Sequence, residues 1–221
     1  MIIVYSANFG GYDKLLEPIY KDKNCRYILF TDQNIKSQMW EVIKLPSPND
    51  LDSQRLARYY KLNPHLVLPA HNYSVWVDSC IKIKKFDVKS MINTNYADVC
   101  CYKHPRRDCL YKEAEVCKSL KLDYANIIDN QIQRYQQQNF PCKFGLFDTA
   151  IMIRKNEPHV NRFNDLWWQE VKNGSRRDQL SQMYVSWVTG VRVSNFKIGV
   201  SKTDSPYFHK KKHIKQRTAY E

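Results

Sequence analysis

The chain contains no Cys-x-x-Cys pair. Its seven cysteines, Cys25, Cys80, Cys100, Cys101, Cys109, Cys117 and Cys142, are scattered and odd in number, which argues against a zinc framework or a paired disulfide set. Reduced thiols in a cytoplasmic protein are the expectation. Long apolar runs are missing too: nothing approaches the ~20 residues of a membrane-spanning helix. Met1–Tyr5 is too short for a signal peptide before Asn8 and Gly10 interrupt it. Glycine signatures for phosphate binding are absent, since there is neither a Gly-x-Gly-x-x-Gly nor a P-loop Gly-Lys-Ser/Thr. Acids are scarce, with 22 Asp and Glu against 35 Lys and Arg for a net charge of +13. Residues 209–221 hold five Lys or Arg and one Glu, so most of the excess is spread through the rest of the chain. It favours an anionic partner, whether a phosphate-bearing ligand, nucleic acid or anionic membrane.

What is present is an alternation of strand and helix signals over 221 residues, a length that fits one α/β domain with its own core. Ile2–Ala7 reads as a strand stopped by Asn8-Phe9-Gly10-Gly11-Tyr12. Arg26–Thr31 reads as a second, and Trp40–Leu45 as a third that halts at Pro46-Ser47-Pro48. Asp52–Asn63 reads as a helix with Asp52 as N-cap and Pro64 after its end. Beyond the strand Tyr73–Val77 and a basic, apolar stretch over Lys82–Phe86, a short helix is expected near Val88–Asn93 and a strand over Ala97–Tyr102. Helices follow over Leu110–Leu120 and Tyr124–Gln138, then a strand over Phe147–Arg154. Two more helices, Pro158–Lys172 (ended by Gly174) and Asp178–Val188, complete the pattern. It predicts an α/β fold with a mostly parallel central sheet flanked by helices. His209–Arg217 reads as a basic end that a ligand would have to order.

Five features can carry chemistry. The Tyr73–Val77 strand delivers Asp78 to the carboxyl edge of the sheet, where ligands of open α/β folds sit; metal ligand and turn cap are both open readings. Gly10-Gly11 lets the backbone turn closely, around a ligand or simply as a turn. Arg55, Arg58 and Lys61 recur every three residues, as an anion contact or as a solvated face. Asp148 interrupts an apolar strand, which is costly unless it is partnered or used. Asp178 stands at a helix start, where its charge suits the dipole. Fifteen tyrosines and the positive charge raise nucleic-acid binding, but no RNP or OB-type pattern accompanies them.

The order of these pieces is itself informative. The Gly-Gly turn is followed by Phe30-Thr31-Asp32, then by the Arg-rich helix running into Leu62-Asn63-Pro64-His65-Leu66-Val67-Leu68-Pro69, then by Val75-Trp76-Val77-Asp78-Ser79-Cys80. This order resembles GT-A glycosyltransferases, in which a helix ending in a Leu-Pro segment precedes a hydrophobic strand bearing Asp-x-Asp. Gly145–Arg154 resembles their acceptor-side strand. Trp167-Trp168 with Gly174–Ser181 is similar to a small GT-A-like family of bacteria, plants and large viruses, which includes a chlorovirus domain acting on capsid glycans. The likeness covers roughly Val4–Trp187, and His209 besides. It departs at Cys80, where the family pattern has a second Asp.

The resemblance implies a single GT-A domain, nucleotide-diphospho-sugar transferase-like, over 1–208, with 209–221 as a basic tail that forms part of an active-site lid. It implies transfer of a hexose or deoxyhexose, glucose or rhamnose foremost, from a UDP-sugar to a glycan or glycoprotein acceptor. The site would lie in the cytoplasm, that of the host if the protein is viral. Asp78 and His209 would hold Mn²⁺, with Mg²⁺ less suited to a nitrogen ligand. Ser6, Ala7, Asn8 and Tyr12 would meet the nucleoside, and Thr31 and Asp32 the base or ribose. Arg55, Arg58, Lys61 and Ser79 would lie along the diphosphate, joined by Lys210 or Lys212 if the tail folds over. Asp148 or Asp178 would deprotonate the acceptor, and Arg177 and Gln179 would position sugar hydroxyls. The alternatives are a silent sugar-nucleotide-binding relic, made credible by Cys80, and a basic nucleic-acid-binding protein.

Overall fold

Strand-forming residues in this chain come as short, nearly continuous apolar runs, the pattern of strands covered on both faces. The computed structural model describes residues 1–46, 51–85, 87–94, 97–197 and 205–211. In chain order its elements are β1 (Ile2–Asn8), β2 (Cys25–Thr31), β3 (Glu41–Lys44), α1 (Ser53–Leu62), α2 (Pro64–Val67), β4 (Tyr73–Val77), β5 (Ile81–Ile83) and α3 (Val88–Thr94). There follow β6 (Val99–Lys103), α4 (Leu110–Ser119), α5 (Ala125–Gln137), β7 (Phe147–Lys155), α6 (Pro158–Asn173), α7 (Gln179–Thr189), β8 (Val193–Asn195) and β9 (Phe208–Lys210).

Seven strands form the main sheet in the order β3-β2-β1-β4-β7-β6-β8. The β3, β2, β1 and β4 strands are parallel, as is the β6–β8 pair, while β7 runs antiparallel to both of its neighbours. The mostly parallel α/β architecture expected from the alternation is therefore present. That single reversal matters for the site. It brings the start of β7, with Asp148 and Thr149, to the same edge as the carboxyl ends of β1, β2 and β4. A second sheet pairs β5 with β9 antiparallel, Lys82 opposite His209.

Alternate residues of the strands feed two apolar layers. Ile3, Tyr5 and Trp76 face a core closed by Leu56 and Leu62 of α1, Phe163 and Trp167 of α6 and Met183 of α7. Val4, Val75 and Val77 face a second core closed by Trp40, Met91 of α3, and Ile81, Ile83 and Phe208 of the small sheet. Tyr5, Tyr27, Tyr102 and Tyr135 are all buried, as core packing requires. The N-cap of α1 is Asp52, whose carboxylate accepts from the backbone amides of Gln54 and Arg55.

The sequence reading placed most elements within two residues but omitted α2, β5, β8 and β9. The β9 strand spans the point where the basic tail was expected to begin, so His209 and Lys210 are sheet residues. Lys212 and the remainder of the tail, Ser47-Pro48 and Phe86 lie outside the described residues. No helix among the described residues is long and apolar enough to cross a membrane.

Candidate functional site

Helix α1 carries Arg58 and Lys61 three residues apart, on one side. Lys61 is not on a solvated stripe: the residue is fully buried, its ammonium 5.5 Å from the centre of the Trp76 ring. The nitrogen reaches three oxygens, Asp178 Oδ2 at 2.6 Å, Thr149 Oγ1 at 3.2 Å and Asp78 Oδ1 at 3.4 Å. Arg58 Nε lies 3.1 Å from Asp178 Oδ1. Two cations of one helix thus meet carboxylates that enter from the end of β4 and the start of α7.

Asp78 is fixed at its backbone, where its amide donates to Ala150 of β7 at 2.8 Å and its carbonyl accepts from Ile81 at 2.9 Å. Its Oδ1 also takes the indole N–H of Trp76 at 2.7 Å. Oδ2 has no hydrogen-bond partner among the described residues, and the side chain is a quarter exposed. Burial pushes its pKa up, but Lys61 and Arg58 outweigh burial and the nearby Asp178 charge, holding the carboxyl below the usual range. The turn-cap reading does not describe this side chain, which is spent on Lys61 and Trp76.

Asp178 is the N-cap of α7 yet makes no side-chain capping bond. Its carboxylate turns to Arg58, Lys61 and the Thr149 hydroxyl, which donates at 3.0 Å. Burial works against the charge, and Arg58 and Lys61 overcome it, so the carboxyl sits well below the usual range. Arg58 is correspondingly raised, burial being outweighed chiefly by Asp178 and Asp78.

Arg58, Asp78, Thr149 and Asp178 line a cavity of about 70 Å³ together with Cys80, Asp148, Arg177, Gln179 and Lys210. It has room for part of a ligand, not for a whole sugar nucleotide. Asp148 is half-buried there, its Oδ1 accepting from the Ala150 amide. Gln179 bonds the Phe147 carbonyl at 2.7 Å. Lys210, rather than His209, is the β9 residue on this cavity. Neighbouring strand residues point to opposite faces, so His209, paired with Lys82, is directed away from Asp78.

Ser6, Asn8, Asp78 and Ser79 line a second, smaller recess, and the buried Ser6 hydroxyl has no hydrogen-bond partner among the described residues. The Asn8 amide closes its own turn, donating to the Asp13 carbonyl at 2.6 Å. Ser79 donates to the Asp13 carboxylate at 2.5 Å. Ala7 belongs to the core, and Tyr12 is half-buried past the glycine turn. The Thr31 hydroxyl donates to the Asn8 carbonyl, and Asp32 Oδ2 accepts the Gly10 amide at 2.9 Å, so this pair shapes the loop after β1. Arg55 is committed elsewhere, to Asp52 and to the Val171 and Gly174 carbonyls at the end of α6.

Trp76, Thr149 and Asp13 were not singled out from the sequence. Trp76 could have been, since period-two spacing puts it on the same strand side as Asp78. Beneath the site, fully buried Arg154 donates to the Lys61 carbonyl, the Tyr5 hydroxyl and Asn164 Oδ1, which fixes the end of α1. Among the described residues no three His, Cys, Asp or Glu side chains converge to hold a metal ion.

Comparison with known proteins adds the following. The family model described as TOD1/MUCI70, glycosyltransferase-like domain, matches residues 1–203. An Arabidopsis thaliana protein described as a probable hexosyltransferase, MUCI70, is 24% identical over 210 residues, covering 81% of this chain and 36% of that protein. Another from the same plant, described as alkaline ceramidase TOD1, is 22% identical over 220 residues, covering 83% of this chain and 48% of that protein. The chain therefore spans less than half the length of each of these relatives.

Proposed function

The chain belongs to the TOD1/MUCI70 glycosyltransferase-like domain family, and from that premise we propose that it transfers a hexosyl or deoxyhexosyl group from a UDP-sugar to a glycan or glycoprotein acceptor, in the manner of a GT-A enzyme. The observation that carries the reading is the Asp78 cavity. A carboxylate with one uncommitted oxygen stands at the carboxyl edge of a mostly parallel sheet, beside Arg58, Arg177 and Lys210. That is where an anionic ligand of an α/β fold is expected, and preorganised cations there oppose charge developing on a leaving diphosphate.

Each residue then has a task. Arg58, Arg177 and Lys210 would hold diphosphate oxygens. Ser6 and the loop after β1, shaped by Gly10 and Asp32, would receive the nucleoside. Asp148, half-buried on the wall of the same cavity, would take the proton of the acceptor hydroxyl. Asp178 would keep Arg58 and Lys61 in position. A divalent cation fits only as a shared ion: one Asp78 oxygen is available, and its other ligands would be phosphate oxygens and water, which suits Mn²⁺ or Mg²⁺. Bound there, the ion would act as a Lewis acid toward the leaving diphosphate. Ceramide hydrolysis, the activity in the second relative's name, would call for an apolar ligand, and the Asp78 cavity is lined mainly by charged and polar groups.

The test is a thermal-shift panel of nucleotide sugars with and without Mn²⁺, on wild type and Asp78→Asn. The expected result is Mn²⁺-dependent stabilisation by one UDP-sugar, reduced at least tenfold in apparent affinity by the substitution. Undiminished UDP-sugar affinity in Asp78→Asn would overturn the proposal. Binding without turnover, gained only on Cys80→Asp, would make the protein the silent relic.

A further inference from the structure

The cavity at Asp78 has a larger neighbour. A second, of about 930 Å³, opens beside it on the same sheet edge, and the two share elements. Phe147 lines the large cavity and Asp148, the next residue, lines the small one. Along α7, Gln179 lines the small cavity while Met183, Ser186 and Trp187 line the large one, at the spacing of a single helix face. Its volume lies in the range of ligand sites, whereas the Asp78 cavity is too small for a saccharide.

Two features define what this cavity would take. One is charge: Lys103, Lys143 and Arg192 are among five Lys or Arg residues on its wall, against one acid, Asp108. Among the described residues Lys103 and Lys143 have no carboxylate partner. Arg107, also on the wall, is by contrast paired with buried Glu113. The other feature is an aromatic platform. Trp187 and Phe144 are 37% and 41% exposed, yet both rings are fixed edge-on against buried Phe140, at 5.7 and 5.6 Å between centroids. Rigid, partly exposed rings offer a flat apolar surface at low entropic cost.

The geometry points to an acceptor subsite for an anionic saccharide, a sugar ring resting on Trp187 and Phe144 with its carboxylate or phosphate group against Lys103 and Lys143. A saccharide seated there has its neighbouring ring directed over Phe147 toward Asp148. The inference rests on the Asp78 cavity being the donor side.

The experiment is calorimetry and tryptophan fluorescence on the full chain, with three probes: a hexuronate trisaccharide, a 6-phosphorylated trisaccharide and a neutral trisaccharide of equal length. Wild type is compared with Lys103→Glu/Lys143→Glu and with Trp187→Ala, and UDP with Mn²⁺ is titrated into the same samples. At least one charged trisaccharide should bind tenfold or more tighter than the neutral one, weaken with added salt, and lose tenfold or more in each variant. The charged arm that binds names the anionic group. UDP affinity should stay unchanged in both variants. Equal binding of charged and neutral probes, or charged binding that survives the double reversal, overturns the inference. So does a single-stranded oligonucleotide of matched charge bound more tightly through the same lysines. Loss of UDP binding by wild type would instead strike the donor reading and leave the saccharide result to be judged by itself.

Discussion

The Lys61 ammonium lies 2.6 Å from Asp178 Oδ2, and the two side chains are only 1% and 4% exposed. This pair joins α1 to α7 beneath the candidate donor site. Desolvating two charges is expensive, and the attraction between them recovers that cost only where further hydrogen bonds complete the set. Here Thr149 and Arg58 complete Asp178, while Asp78 and Thr149 complete Lys61. The cluster specifies where Asp78 stands more than it adds net stability.

Removing one member should therefore cost more than removing a pair. Lys61→Met leaves Asp178 with Arg58 and the Thr149 hydroxyl and removes the Lys61 ammonium from Asp78. Urea unfolding should show a loss of about 3–5 kcal/mol, part of it recovered in Lys61→Met/Asp178→Asn. A single substitution costing under about 1 kcal/mol would mean that the charges are solvated.

The same cluster sets an acid limit. Asp178 and Asp78 both titrate below the ordinary aspartate value of 3.8 in the fold. A depressed carboxyl contributes stability that is fully present above its unfolded pKa and is lost as pH falls through the folded one. Stability should hold on descending to about pH 4 and fall below it, with a shallower fall in Asp178→Asn. Urea midpoints between pH 2 and pH 7 measure this. An unchanged acid limb in Asp178→Asn would assign it to the other depressed carboxyls, Asp78, Asp52 and Asp98.

Local signals were legible in the sequence, and distant ones were not. β1, β2 and β4 announce themselves as apolar runs, and the Asp52 cap and Pro64 bracket α1. β8 and β9 have three residues each, too short for any period, and exist because Val99–Cys101 and Ile81–Ile83 offer them partners. The Arg55, Arg58, Lys61 spacing reads as one stripe, but its members part company in the fold. Arg55 goes to α6 and Lys61 goes inward, because Asp178, far along the chain, is there to meet it. Likewise, the Asp178 position at a helix start is visible in sequence, whereas its turning from the helix amides to α1 is not.

Gly10 tests the loop after β1. Its φ is +66°, and a Cβ there would lie 2.5 Å from Ser53 Oγ at the start of α1. Gly10→Ala should cost about 1–3 kcal/mol through the left-handed backbone and disturb the Gly10 amide bond to Asp32. UDP affinity should fall with it, if this loop receives the nucleoside. A variant as stable as wild type would show that the turn relaxes into another conformation.

Asp148 and Asp178 can be told apart by which kinetic constant moves. Asp148 lines the donor cavity and is assigned to the acceptor proton rather than to the diphosphate, so Asp148→Asn should bind the UDP-sugar within a few-fold of wild type. Loss of a general base should lower kcat by about 10²–10⁴ and flatten the acid side of the kcat–pH profile. Asp178 holds two cations in place and has little affinity for a proton. Asp178→Asn should therefore act through donor affinity and stability, with the pH profile of the remaining turnover unchanged. If instead Asp178→Asn abolishes that acid limb while Asp148→Asn leaves turnover intact, the proton goes to Asp178. The depressed carboxyl would then have to be raised by bound substrate drawing Arg58 away from it.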